Sequence, residues 1–122
     1  MTTPYIGTKF TVSHCDGADE SFDEALRHVP QKKQRSLKNW SALVVKRLGE
    51  GMRLADVVTE ADLPDGASFY AARNLPIRMY FWYSKAHSRQ VYISHYKFKN
   101  YQKLSKSDID KVTENWKLYE GI

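Results

Sequence analysis

Residues 68–98 read SFYAARNLPIRMYFWYSKAHSRQVYISHYKF, and three stretches inside this run decide the fold. Ser68 to Asn74, Ile77 to Ser84 and Arg89 to Phe98 are rich in Tyr, Phe, Trp, Val and Ile, side chains that pack well on a pleated surface. Leu75-Pro76 and Lys85-Ala86-His87-Ser88 separate them, so the spacing predicts an antiparallel meander of three strands. In the middle stretch Ile77, Met79, Phe81 and Tyr83 share one face, while Arg78, Tyr80 and Trp82 share the other. A small sheet needs only one apolar face for its core. An arginine among aromatics on the second face therefore stands out.

Working outward, Leu63-Pro64-Asp65-Gly66 is a turn signal, and Met52 to Asp62 fits either a short helical turn or an irregular connector. Before that, Leu37, Trp40, Leu43, Val44 and Leu48 recur at helical period, with Gly49 as the expected stop. Ser21 and Glu24 fit a capping box for an earlier helix carrying Phe22, Leu26 and Val29, and Pro30 ends that helix or opens the next. Lys9 to Cys15 alternates as a first strand, which Asp16-Gly17 breaks. Downstream, Ser105 or Ser107 caps a last helix whose stripe of Ile109, Val112, Trp116 and Tyr119 reads as core. The order is β-αα-βββ-α. The expectation is one α+β domain over residues 1–122, a small antiparallel sheet with an N-terminal helical hairpin on one side and a C-terminal helix.

Charge is distributed unevenly. Residues 1–66 carry nine Lys/Arg against ten Asp/Glu, whereas residues 67–122 carry ten against four. No acid occurs between Asp65 and Asp108, a window that holds Arg73, Arg78, Lys85, Arg89, Lys97, Lys99, Lys103 and Lys106. Such a window predicts a positive field that attracts phosphates; the plain alternative is a solvated cationic face. Cys15 is the sole cysteine, so no intramolecular disulfide or cysteine zinc site can form. Met1 to Phe10 lacks the pattern of a signal peptide, and no apolar run approaches the length of a membrane span. These features predict a cytoplasmic protein with no membrane partner.

Two stretches carry a family likeness. Phe69-Tyr70-Ala71-Ala72-Arg73 followed by Ile77-Arg78-Met79-Tyr80-Phe81 resembles the paired strands of the RelE/ParE toxin superfamily, which run Tyr-Glu-Leu-Arg and then Arg-x-x-Tyr/Phe. Ile93-Ser94-His95-Tyr96-Lys97-Phe98-Lys99, then Tyr101-Gln102-Lys103, resembles the His-Gly-Phe-x-Lys-Lys-x-x-Gln-Lys segment of its phage-associated and HigB-like branches. The likeness covers residues 67–120; the N-terminal half matches in element order alone. Ala71 stands where those branches usually have Glu, Tyr96 where they often have Gly, and Ser105 where Pro is frequent.

The resemblance implies a RelE-like fold and the toxin of a type II toxin–antitoxin system: a ribosome-dependent, metal-independent mRNA endonuclease that blocks translation. Its implied partners are the ribosome, mRNA and a cognate antitoxin, a helix-turn-helix DNA-binding protein. Two alternatives stay open, a ParE-like inhibitor of DNA gyrase and a non-enzymatic nucleic-acid-binding protein of phage origin. Metal-independent cleavage requires a deprotonated 2′-hydroxyl, a stabilised phosphorane charge and a protonated leaving oxygen. Arg78 is suited to grip the scissile phosphate, His95 to carry a proton near neutrality, and Lys99 to stabilise charge or act as base. Arg73, Lys97 and Lys103 are candidate RNA phosphate contacts, and Tyr96 and Tyr101 candidate base-stacking surfaces. The alternatives are a half-buried His95 that shares a strand face with Val91 and Ile93, an Arg78 paired with Asp65 or the C-terminal carboxylate, and edge-strand lysines at 97 and 99. Neither a metal nor a cofactor is expected, because His14, His28 and His87 lack ligand spacing and no glycine-rich phosphate loop is present.

Overall fold

A computed structural model describes residues 3–99 and 103–121. In chain order the elements are β1 (Tyr5–Ile6), β2 (Thr11–His14), α1 (Ala18–Leu26), α2 (Gln31–Glu50), β3 (Val57–Asp62), β4 (Ser68–Asn74), β5 (Ile77–Tyr83), β6 (Gln90–Phe98) and α3 (Lys106–Glu120). The strands form one sheet in the order β1-β2-β6-β5-β4-β3. The predicted meander is β4, β5 and β6, with Ala71 opposite Tyr80 and Tyr80 opposite His95. The ambiguous stretch before it supplies β3, which pairs antiparallel with β4 and bulges at Glu60.

The sheet is mixed, where a purely antiparallel one was expected. β2 runs parallel to β6, with Thr11 opposite Gln90 and His14 opposite Ile93. A parallel pair cannot be joined by a tight turn. Here α1, α2 and the three strands β3–β5 make the crossover.

Both faces of the sheet are covered. Ile77, Met79 and Phe81 pack with Leu26 of α1, Val29 and Leu37, Val44 and Leu48 of α2. Tyr80 and Trp82, pointing the other way, pack with Phe69, Ala71 and the α3 residues Val112 and Trp116. Every residue from Ile77 to Trp82 is therefore buried, and Arg78 lies under a layer and not on an open face. Burying one large apolar side chain of this kind contributes about 1.5–3 kcal/mol. No helix among the described residues is long and apolar enough to cross a membrane.

Three local readings need correction. Ser21 is not a cap: α1 starts at Ala18 behind Gly17, and Ser21 Oγ donates to the Ala18 carbonyl while accepting from Tyr96 N. Gly49 does not end α2, which continues to Glu50 and stops at Gly51, whose φ of 68° suits a left-handed cap. A bulge lies between the pairs Tyr80–His95 and Phe81–Ile93, so Ser94 is an extra residue in β6. One inserted residue reverses the alternation of side chains. Val91 and Ile93 therefore share the α1/α2 face with Tyr96, and His95 turns toward α3.

The glycine at 49 serves a close approach. Its carbonyl accepts from Lys9 N and Phe10 N, both at 2.9 Å, and a Cβ on Gly7 would lie 2.2 Å from that oxygen. Gly7→Ala is expected to cost about 1–3 kcal/mol through this clash, lowering Tm by about 4–12 °C with an unchanged circular dichroism spectrum at room temperature. A variant that melts with the wild type would show that this junction yields freely.

Candidate functional site

β6 outruns its neighbour. β2 ends at His14, Cys15 N donates to the Ile93 carbonyl, and beyond that point Tyr96 N bonds to Ser21 Oγ, not to a strand. A groove of about 450 Å³ opens there between α1, the end of β6 and the start of α3. Glu24 and His28 line it from the α1 side, His95, Lys97 and Phe98 from β6, and Asp108 and Lys111 from α3.

Asp108 organises the floor. Ser105 caps α3, accepting from Asp108 N at 3.2 Å and donating its hydroxyl to Asp108 Oδ2 at 2.8 Å. The same oxygen meets Lys99 Nζ at 2.9 Å and accepts from the Tyr80 hydroxyl at 3.4 Å, while Oδ1 faces His95 Nε2 at 3.2 Å. Burial alone would raise the Asp108 pKa, but hydrogen bonds from His95, Lys99 and Ser105 and the Lys99 charge together outweigh it. The carboxyl is held well below the usual carboxylate range. Burial, reinforced by the Asp108 charge, pushes the Tyr80 phenol upward against the pull of Arg78.

These partners fix the histidine tautomer. An ionised carboxylate only accepts, so His95 Nε2 carries the proton. Nδ1 lies 2.9 Å from Ser94 Oγ, within hydrogen-bond distance, and that oxygen accepts from Asn115 Nδ2 at 2.9 Å. Asp108, His95 and Ser94 thus form a hydrogen-bonded row of the kind used to activate a serine. Ser94 is fully buried, however, so its hydroxyl is an orienting group and not a nucleophile for a solvent-borne substrate.

Of the residues named from sequence, Arg78, His95 and Lys99 converge on this cluster, being 7%, 5% and 6% exposed. Only His95 of the three lines the groove. Arg78 lies beyond Tyr80, and its partner is Glu60 of β3 at 3.8 Å, not Asp65; the C-terminal carboxylate lies outside the described residues. The intervening strand carries buried Ala71, opposite Tyr80, on that face. Arg78 Nε and Glu60 Oε2 have no hydrogen-bond partner among the described residues.

Arg73 is held by Asp56 through two nitrogens, at 3.1 and 2.9 Å. Tyr96 is a core residue: its ring stacks on Phe22 at 4.2 Å and its hydroxyl bonds to Ser41 and to His14. Burial pushes its phenol upward, and no base can stack on it in this position. Lys97 and Lys103 are exposed, and Tyr101 lies outside the described residues. The acid-free window is thus not acid-free in space. Asp56, Glu60 and Asp108 neutralise Arg73, Arg78 and Lys99, while the Arg89 guanidinium is held by the Lys9 and Thr8 carbonyls.

Sequence reasoning missed Glu60, Tyr80 and Asp108 as members of the cluster. Asp108 was legible only as an acid in a first helical turn, because its partners come from another element. Cys15 is buried, with its thiol pushed up to about 12 by burial and the neighbouring Asp16 charge, which leaves it inert. Among the described residues no group of three His, Cys, Asp or Glu side chains could hold a metal ion. No protein-family model, curated protein or solved structure matches this chain.

Proposed function

We propose that this chain is a toxin of the RelE/ParE type that cleaves mRNA on the ribosome and is restrained by a cognate antitoxin. One observation carries the reading: a histidine held by an ionised aspartate faces a groove that also presents two exposed lysines, Lys97 and Lys111. The aromatic strands β4–β6 leading into α3 support it, since such a run is what the resemblance implies.

In this reading His95 moves the proton between the 2′-hydroxyl and the leaving 5′-oxygen. Asp108 fixes its ring and balances the imidazolium that forms. Lys99, behind Asp108, keeps the carboxylate ionised. Gripping the phosphate falls to Lys97 and Lys111, because Arg78 is enclosed behind Tyr80. Both ring nitrogens of His95 are occupied, so substrate must exchange one bond for its own.

Expression without a partner is expected to arrest growth, with translation falling before replication and new mRNA 5′ ends appearing inside open reading frames. Pulse labelling and 5′-end mapping check this. Replication that stops first, with double-strand breaks and intact mRNA, would select the gyrase reading. Growth without any arrest would leave the chain as a nucleic-acid-binding protein.

A further inference from the structure

The groove has a second region that the proton chemistry does not use. Its wall is formed by the rings of His28 and Phe98, with centroids 5.2 Å apart and planes inclined by 37°. Glu24 stands one helical turn before His28 and lines the same groove. Among the described residues its two oxygens are engaged by the neighbours that follow α1, Arg27 on one and His28 Nε2 at 3.8 Å on the other. The Glu24 and His28 side chains are 60% and 56% exposed, so these pairs are weak and readily exchanged. A carboxylate beside an aromatic wall is an unusual pairing for a surface that otherwise presents Lys97 and Lys111 to phosphate. Phosphate alone would gain nothing from it.

We infer that this region is a base pocket selective for guanine, a reading that rests on RNA being the ligand of the groove. A base stacked on His28 and Phe98 turns its edge to Glu24. Guanine offers two adjacent donors there, N1–H and the N2 amino group, which match the two acceptor oxygens of a carboxylate. Adenine and cytosine each place a ring-nitrogen acceptor beside their amino group, and uracil flanks its single N–H with carbonyls. Each of those three sets an acceptor against a carboxylate oxygen. The volume of the groove falls within the range of sites that enclose one small ligand. Lys97 and Lys111 are placed to hold the phosphate attached to the same nucleotide. The stacking role expected of Tyr96 thus passes to two residues that line the groove.

The test is titration of the purified chain with the 3′-monophosphates of guanosine, adenosine, cytidine and uridine, followed by amide chemical shifts and calorimetry. Guanosine 3′-monophosphate is expected to bind about tenfold to a hundredfold more tightly than the other three. It should shift the amides around Glu24, His28 and Phe98. Glu24→Gln, an exposed change that leaves the fold intact, is expected to reduce the preference for guanosine to within about threefold of the others. His28→Ala should weaken all four nucleotides alike. Equal binding of the four to the wild type, no binding at millimolar concentration, or a preference that survives Glu24→Gln would each overturn the pocket. The titration involves neither ribosome nor cleavage, so the two readings fail separately. Guanosine binding without growth arrest would remove the nuclease and keep the pocket, and arrest without base preference would do the reverse.

Discussion

Asp108→Asn is expected to lower Tm by about 10–20 °C, the largest effect on stability of any single conservative change considered. The carboxylate is 2% exposed and meets Lys99, His95, Ser105 and Tyr80. Asparagine keeps the shape but removes the charge, leaving a buried ammonium uncompensated and turning an N–H₂ donor toward other donors. Breaking a buried pair in this way costs about 3–5 kcal/mol, which for a chain of this length is the Tm shift given. The same residue sets an acid limb. The folded Asp108 pKa lies below the unfolded value, so its stabilisation is complete above about pH 4 and is lost as pH falls from there toward the depressed folded value. Urea midpoints for the wild type should therefore drop between pH 5 and pH 3 by more than those of Asp108→Asn, in about the ratio of the carboxylate's contribution. An asparagine variant that melts within about 2 °C of the wild type would mean that the cluster contributes little.

His95→Gln is expected to reduce cleavage of ribosome-bound mRNA by about a hundredfold to ten-thousandfold. The glutamine amide can still donate to Asp108, so Tm should fall by much less than in Asp108→Asn. That contrast separates the proton carrier from the structural anchor. Loss of activity in step with loss of stability would make His95 a core residue. Wild-type cleavage by a normally melting His95→Gln would move proton transfer to Lys97 or Lys111, the lysines that line the groove.

The central strands were legible because their signal is local. Aromatic and β-branched content defines β4, β5 and β6 to within a residue at each end, and Leu75-Pro76 marks the turn. Arg78 and Lys97, and Tyr80 and His95, are register partners, so residues chosen on separate strands fall in neighbouring rows of the sheet. What escaped the sequence is nonlocal. The extra residue at Ser94 leaves no trace in composition, yet it sends His95 to the opposite face from Val91 and Ile93. Gly49 looks like a helix stop until Gly7 is seen beside it. The counter-charges Asp56 and Glu60 come from a segment before the cationic window, one that periodicity did not resolve as a strand. Tyr96 alternates like a surface residue, but it is enclosed by Phe22 and Ser41.

The pairing of Thr11–His14 with Gln90–Ile93 also has a consequence for synthesis. β2 must wait for a partner that is synthesised only after both helices of the hairpin and three further strands. Contacts this distant in sequence form late and slow folding, because a long loop must close before they add stability. The helical hairpin can pack on β4 and β5 before then, but the part of its apolar side that meets Val91, Ile93 and Tyr96 stays uncovered until β6 arrives. A chain still being made therefore has neither a finished sheet nor a groove.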